Sequence, residues 1–177
     1  MTTFSCVAAL DEERGIGIDG QLPWKLSGDM QYFRNLTTAV VSPDQKNAVI
    51  MGRLTWESIP TKFRPLPERV NLVLTTNTDW ETEDPEVLKA SSLDEALEML
   101  GNRSDVAQIF VIGGGRVYQE ALSHTKCDQL FLTHINKMYD CDTFFPPYEQ
   151  DFAAEVASET QEEDGVEFCY AVYTRKK

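Results

Sequence analysis

Short apolar, β-favouring runs recur along this chain with helical patterns between them, and that alternation constrains the fold more than any other feature. The runs are Phe4–Leu10, Asn47–Met51, Val70–Thr75, Ile109–Ile112 and Gln129–Ile135. The helical patterns cover Gly28–Val40, a short stretch from Thr55, Leu93–Leu100 and Val117–Ser123. Such alternation favours parallel strands joined by right-handed crossovers. Strands this continuously apolar are covered on both faces. Phe168–Arg175 alternates as a closing strand, read as antiparallel. The expectation is an α/β fold with a central, mostly parallel sheet, an antiparallel C-terminal strand and helices on both faces. A chain of 177 residues suits one domain, and no repeat or linker divides it, so residues 1–177 are expected to form a single domain. In such sheets ligands bind beyond the carboxyl ends of the strands, which directs attention to the segments just after each one.

Charge narrows the partners. The net charge of −13 argues against nucleic acid or an anionic membrane surface. It is unevenly spread: Glu149 to Glu167 holds eight acids and no base, whereas Arg53 to Arg69 holds Arg53, Lys62, Arg64 and Arg69 against Glu57 and Glu68. The basic stretch could receive an anionic small molecule. No apolar run is long enough to span a membrane, and the N-terminus lacks a signal-peptide pattern. Cys6, Cys127, Cys141 and Cys169 are scattered without a CxxC pair, and His124 and His134 have no ligand-like spacing with them. The cysteines read as reduced in a cytoplasmic protein, and no metal site is expected.

Three post-strand segments stand out. "DEERGIGIDGQLPW" interleaves Gly15, Gly17 and Gly20 with Ile16 and Ile18, which suits either a lid over a site or an ordinary loop. "GRLTW" offers Gly52, Arg53 and Thr55 at a helix start, as an anion site or as a capped helix with an incidental arginine. "GGGRVYQEAL" places three glycines between strand and helix, which suits a phosphate at the helix N-terminus or a tight turn. The full dinucleotide fingerprint fails because its third glycine would fall at Tyr118, and no GK[ST] follows for a phosphate loop.

Asp29 poses a problem. In "LPWKLSGDMQYFRNL" the residues Leu26, Met30, Phe33 and Leu36 repeat at helical spacing, and Asp29 shares their face. Ser27 reads as the N-cap, and an acid in the first turn favours the helix dipole. Yet a carboxylate on an apolar face must be hydrogen-bonded or protonated. A ligand offering paired donors would satisfy it.

Taken in order, "CVAAL", "GIGIDGQLPW", "DMQYF", "VIMGRLTW", "RPLPERVNLVL", "FVIGGGRVYQEAL", "LFLTHI" and "DTFFP" resemble the dihydrofolate reductases over nearly the whole chain. The resemblance implies NADPH-dependent reduction of 7,8-dihydrofolate to tetrahydrofolate for one-carbon metabolism and thymidylate synthesis. It also implies inhibition by antifolates, a monomer and a cytoplasmic location. Asp29 takes the place of the acid that bonds the pterin N3–H and 2-amino group and promotes protonation of N5. Thr133 resembles the threonine that orients this acid, and Trp24 the tryptophan that holds a nearby water. Val7, Ala8 and the carbonyl of Ile112 would contact the pterin. Met30, Phe33, Ile59 and Leu66 would pack on the pterin and aminobenzoyl group. Arg69 matches the arginine that pairs with the glutamate α-carboxylate.

For the cofactor, the resemblance implies Ala9 and Ile16 at the nicotinamide. Gly52, Arg53, Leu54 and Thr55 would meet the pyrophosphate and ribose region, with Leu74, Thr75 and Thr76 beyond them. Gly113, Gly114, Gly115, Arg116 and Val117 would cradle the pyrophosphate, with a cis peptide at Gly113–Gly114, and Tyr118 would stand at the nicotinamide–pterin junction. One departure concerns the adenosine 2′-phosphate. Where members commonly place an arginine after "NLVL", the run is Thr75-Thr76-Asn77, and a further basic position reads Ser91 with Lys89 nearby. The pyrimidine reductase of riboflavin synthesis is a weaker resemblance, since its substrate has no glutamate tail for Arg69.

Overall fold

A computed structural model describes residues 2–177. In chain order the elements are β1 (Phe4–Leu10), β2 (Gly15–Gly17), α1 (Ser27–Thr38), β3 (Lys46–Gly52), α2 (Arg53–Ser58), β4 (Arg69–Leu74), β5 (Leu88–Ala90) and α3 (Leu93–Gly101). Then follow β6 (Val106–Gly113), α4 (Gly115–Ser123), β7 (Cys127–Ile135), β8 (Thr143–Phe144), β9 (Phe152–Ala157), β10 (Gln161–Glu163) and β11 (Val166–Arg175). One sheet runs β10-β11-β7-β1-β6-β3-β4-β5, with β9 also paired to β11. From β7 to β5 every neighbouring pair is parallel. The strand β11 joins β7 antiparallel. The expected single-domain α/β class with its antiparallel closing strand is what forms.

Period-two alternation divides the core between the two faces of this sheet. Cys6, Ala8, Leu10, Ile50, Leu72, Val111 and Leu132 pack with Leu93, Ala96 and Leu97 of α3 and Tyr118, Ala121 and Leu122 of α4. The intervening Val7, Val49, Met51, Val73 and Phe110 pack with Trp56 of α2 and with Phe33 and Leu36 of α1. A third cluster joins Trp24, Leu26, Ile135 and Phe168 under the start of α1. Every residue from Ala48 to Met51 is fully buried, because strands clad on both faces have no solvent side.

The strands absent from the sequence reading are the short or polar ones. β2 and β8 form a separate two-stranded ribbon. β10 is polar, and β9, although FAAEVA is largely apolar, is exposed at every residue after Phe152. The turn between β10 and β11 is Asp164-Gly165, both at positive φ (52° and 80°). That pair is the tight-hairpin signature, and it lay unread inside the acidic stretch.

All four cysteines are unbonded, with Cys6 and Cys127 buried. Arg64, one of the bases in the Arg53-to-Arg69 stretch, serves the fold and not an anion. Its Nη1 donates to the carbonyls of Trp56, Glu57 and Ile59 at the end of α2. There it bonds carbonyls at the helix C-terminus, where backbone donors run out.

Candidate active site

The first turn of α1 lies against the row of the sheet in which Ala9 of β1, Thr133 of β7 and Tyr170 of β11 stand side by side. Asp29 is only 8% exposed, and its Oδ1 accepts a hydrogen bond from the Thr133 hydroxyl at 2.7 Å. Burial pushes its pKa above the ordinary carboxylate value, the Thr133 bond opposes that rise, and the charge of Glu163 adds to it. The indole N–H of Trp24 is buried in the third cluster with no acceptor among the described residues.

Two turns along α1 the polarity reverses. Thr37 is fully buried, and its hydroxyl oxygen accepts from Arg69 Nη1 at 2.9 Å. The Arg69 Nε donates to the Pro67 carbonyl, and the guanidinium lies 5.9 Å from the centre of the Phe33 ring. Arg69 is 8% exposed, yet no carboxylate among the described residues pairs with it. Burial, and then the nearby charge of Arg34, lower its pKa, which marks a cation short of compensation. Asp29, Phe33 and Thr37 recur at four-residue spacing, so Asp29 and the Thr37 that holds Arg69 are about 12 Å apart in rise along one helix face. Thr37 escaped the sequence reading. Its signal was weak: a threonine one turn beyond Phe33 on the face already assigned to Asp29.

Met30 does not share that buried face. It is 55% exposed, because the face turned to the sheet centres on Asp29, Phe33, Leu36 and Thr37, which leaves Met30 at the rim. Phe33, Ile59, Leu66 and Ile112 are partly buried around the second core cluster, lining the same side of the sheet. Val7 belongs to that side too, and its carbonyl accepts from the Tyr118 hydroxyl at 2.6 Å. The Ala8 methyl instead lies in the α3–α4 core, so only its backbone is available to the α1 side. Burial raises the Tyr118 pKa well above that of an ordinary phenol.

The glycine segment sits where β6 meets α4. Gly113–Gly114 is a cis peptide, as the resemblance implied, and Gly113 has φ 136°. A side chain at Gly113 or Gly114 would meet Thr55 Oγ1, at 3.4 or 3.1 Å. At Gly115 it would run into Thr143 at 2.7 Å, with Ile16 3.9 Å away. At Gly52 it would meet Val117 at 3.1 Å. A side chain is thus barred outright at Gly115, strained by the positive φ at Gly113 and crowded at Gly52 and Gly114, so the backbone at the ends of β3 and β6 is kept bare. Arg53 is the first residue of α2 and Arg116 the second of α4. Arg53 pairs with Glu57 at 3.1 Å, with both side chains partly exposed, a contact too weakly held to withdraw it from a ligand.

The outer positions are less engaged. Leu54 is 73% exposed, while Leu74 buries its side chain in the α3–α4 core. Thr75 ties β4 to β5 through its N–H and the Ala90 carbonyl, and Thr76 is exposed. Lys89 does not reach outward: its Nζ donates to the carbonyls of Thr78 and Trp80. Ser91 is likewise held, donating through N and Oγ to Glu95.

Two anchors escaped the sequence reading. Asp11 is buried, and its carboxylate accepts from the amides of Glu13, Gly15 and Tyr139, which ties the Gly15–Gly17 segment down beside the glycine turn. Glu163 caps α1. Ser27 is not the N-cap; Leu26 holds that position without a side-chain acceptor, and the Glu163 carboxylate takes the Ser27 and Gly28 amides.

A family model described as dihydrofolate reductase matches residues 3–175, and the chain belongs to that family. It is 43% identical to the dihydrofolate reductase of Heliothis virescens, over 96% of this chain and 95% of that protein. It is 38% identical to that of Drosophila melanogaster, over 97% of both. It also matches the bifunctional dihydrofolate reductase-thymidylate synthase 1 of Arabidopsis thaliana at 41% identity, over 99% of this chain but 35% of that protein. Membership makes the chain an oxidoreductase that uses a nicotinamide cofactor. No helix among the described residues is long and apolar enough to cross a membrane.

The buried carboxylate has a cost that can be measured without substrate. Because the folded-state pKa of Asp29 lies above its unfolded value, this group favours folding below about pH 3.8 and loses that contribution as pH rises through its folded pKa. Asp29→Asn keeps an acceptor for Thr133 and removes the charge. At neutral pH the ligand-free variant is expected to be more stable by about 0.5–2 kcal/mol. The gain should shrink on acidification, as read from urea midpoints across pH. A variant less stable than wild type at pH 7 would contradict the assignment of a strained carboxylate.

Proposed function

We propose that this chain reduces 7,8-dihydrofolate to 5,6,7,8-tetrahydrofolate with NADPH, as a cytoplasmic monomer whose residues 1–177 are one reductase domain. The observation that carries this reading is the two-ended face of α1. A buried carboxylate lies at one end and a buried, unpaired guanidinium at the other, with aromatic and aliphatic side chains between them. A folate has the complementary ends: paired N–H donors on the pterin and a carboxylate on the tail.

In this reading Asp29 accepts from the pterin N3–H and 2-amino group, which compensates the buried charge, and promotes protonation at N5. Thr133 fixes the carboxylate through Oδ1, and Trp24 takes the part of the tryptophan that holds a nearby water. Arg69, steered by Thr37, takes the glutamate α-carboxylate in a forked pair. Antifolates with the same donor pair compete for Asp29. The glycine turn fits a dinucleotide pyrophosphate, with Thr55, Arg53 and Arg116 beside it; the reduced nicotinamide supplies the hydride when bound. Preference for the 2′-phosphate rests on few groups, since Lys89 and Ser91 are already bonded within the protein.

The direct test is loss of reduced-nicotinamide absorbance with NADPH and dihydrofolate, measured also with NADH. No turnover of dihydrofolate would sink the reading. Asp29→Asn should slow single-turnover hydride transfer about 10²–10⁴-fold at neutral pH. The rate should recover as pH falls, since solvent then protonates the pterin; a near wild-type rate at pH 7 would remove Asp29 from the mechanism.

Arg69→Leu should weaken dihydrofolate binding by about 2–5 kcal/mol. The loss should appear in KM rather than kcat, because the tail is remote from the reacting atoms. A substrate analogue without the glutamate should be unaffected, and equal losses for both would rule out the carboxylate pairing.

A further inference from the structure

Helices are commonly capped from within, by a side chain at the N-cap position. Here that position is Leu26, which cannot do it, and the acceptor comes from 136 residues away. The Glu163 carboxylate spans two amides: Oε2 accepts from Ser27 N at 2.7 Å and Oε1 from Gly28 N at 2.9 Å. Gly28 permits this approach, for a side chain there would meet Glu163 Oε1 at 3.3 Å and Phe168 at 3.6 Å. Tyr170 completes the grip. Its hydroxyl donates to the Gly28 carbonyl at 3.2 Å, and its ring stacks on Tyr32 at 3.8 Å. Tyr170 lies directly opposite Thr133, the residue that holds Asp29. The strand carrying Glu163 has no buried residue, so core packing does not explain why the β10–β11 hairpin is there.

We propose that Glu163 is a positioning residue for the reduction: from β10 it fixes the turn of α1 that carries Asp29 and faces it with a second negative charge. The inference rests on the reading of Asp29 as the group that promotes protonation. The titratable groups around Asp29 are Glu163 on β10, Tyr32 on α1 and Tyr170 on β11; its partner on β7, Thr133, is neutral. Bonding to the Gly28 and Ser27 amides holds the Glu163 pKa below the ordinary value, so it is charged at neutral pH. Its charge favours the protonated form of anything nearby, whether the proton rests on Asp29 or on the pterin.

The test is the pH profile of single-turnover hydride transfer in Glu163→Gln, which keeps the shape and one of the two acceptors but removes the charge, and Glu163→Ala, which removes the cap entirely. In Glu163→Gln the kinetic pKa should move down, and the rate at mildly alkaline pH should fall about two- to fivefold, the scale of a charge at a helix N-terminus. Glu163→Ala should shift in the same direction and lose more. If Glu163→Ala does not fold, Glu163→Gln alone decides. Wild-type pH profiles in the folded variants, even with a lowered Tm, would reduce Glu163 to a structural cap and overturn the proposal. A slow Asp29→Asn beside unmoved Glu163 profiles overturns only this inference; a fast Asp29→Asn overturns the reading beneath it as well.

Discussion

The hydrogen bond from Thr133 to Asp29 is the contact on which the rest of the site depends. A carboxylate on the inner face of a helix loses most of its hydration, and one hydroxyl does not replace it. The fold therefore carries a group whose charged form is poorly satisfied until another donor arrives. That donor must lie beside the sheet row of Ala9, Thr133 and Tyr170, because β1, β7 and β11 fix the positions of all three.

From that point α1 acts as a ruler. Asp29, Phe33 and Thr37 recur at one-turn spacing, so helix geometry sets the separation of Asp29 from Thr37, and the Thr37 hydroxyl in turn holds Arg69. The far end is held as firmly as the near one. The side-chain amide of Asn47 on β3 donates to the carbonyls of Thr37 and Ala39, and its Oδ1 accepts from Gln108 N. The helix α1 is thus tied to the sheet at both ends, by Glu163, Tyr170 and Thr133 at its start and by Asn47 and Arg69 at its finish.

What could be read from the sequence follows what each signal encodes. Strands β1, β3, β4, β6 and β7 were visible because burial on both faces forces continuous apolar runs. β10 was not, because a polar edge strand carries no hydrophobic signature, and β9 was not because its apolar residues are mostly alanines, which do not favour strands. Asp29 was conspicuous as a charge on an apolar face, whereas Thr37 was silent, since a threonine on a helix announces nothing until its partner Arg69 is folded against it. Ser27 misled as an N-cap for a related reason: local propensity gave way to Glu163, a contact formed only when β10 pairs with β11. Met30 misled through the width of the helical stripe, which counts rim positions as buried ones.

Direct titration of the Asp29 carboxyl carbon by NMR, assigned by comparison with Asp29→Asn, tests the central claim. In the ligand-free protein Asp29 should titrate above the ordinary aspartate value, because burial outweighs the Thr133 bond. With a bound antifolate that presents paired N–H donors, it should remain ionised to lower pH. A midpoint at the ordinary aspartate value, unmoved by the ligand, would mean that the carboxylate was never short of a partner and that the site is not organised around it.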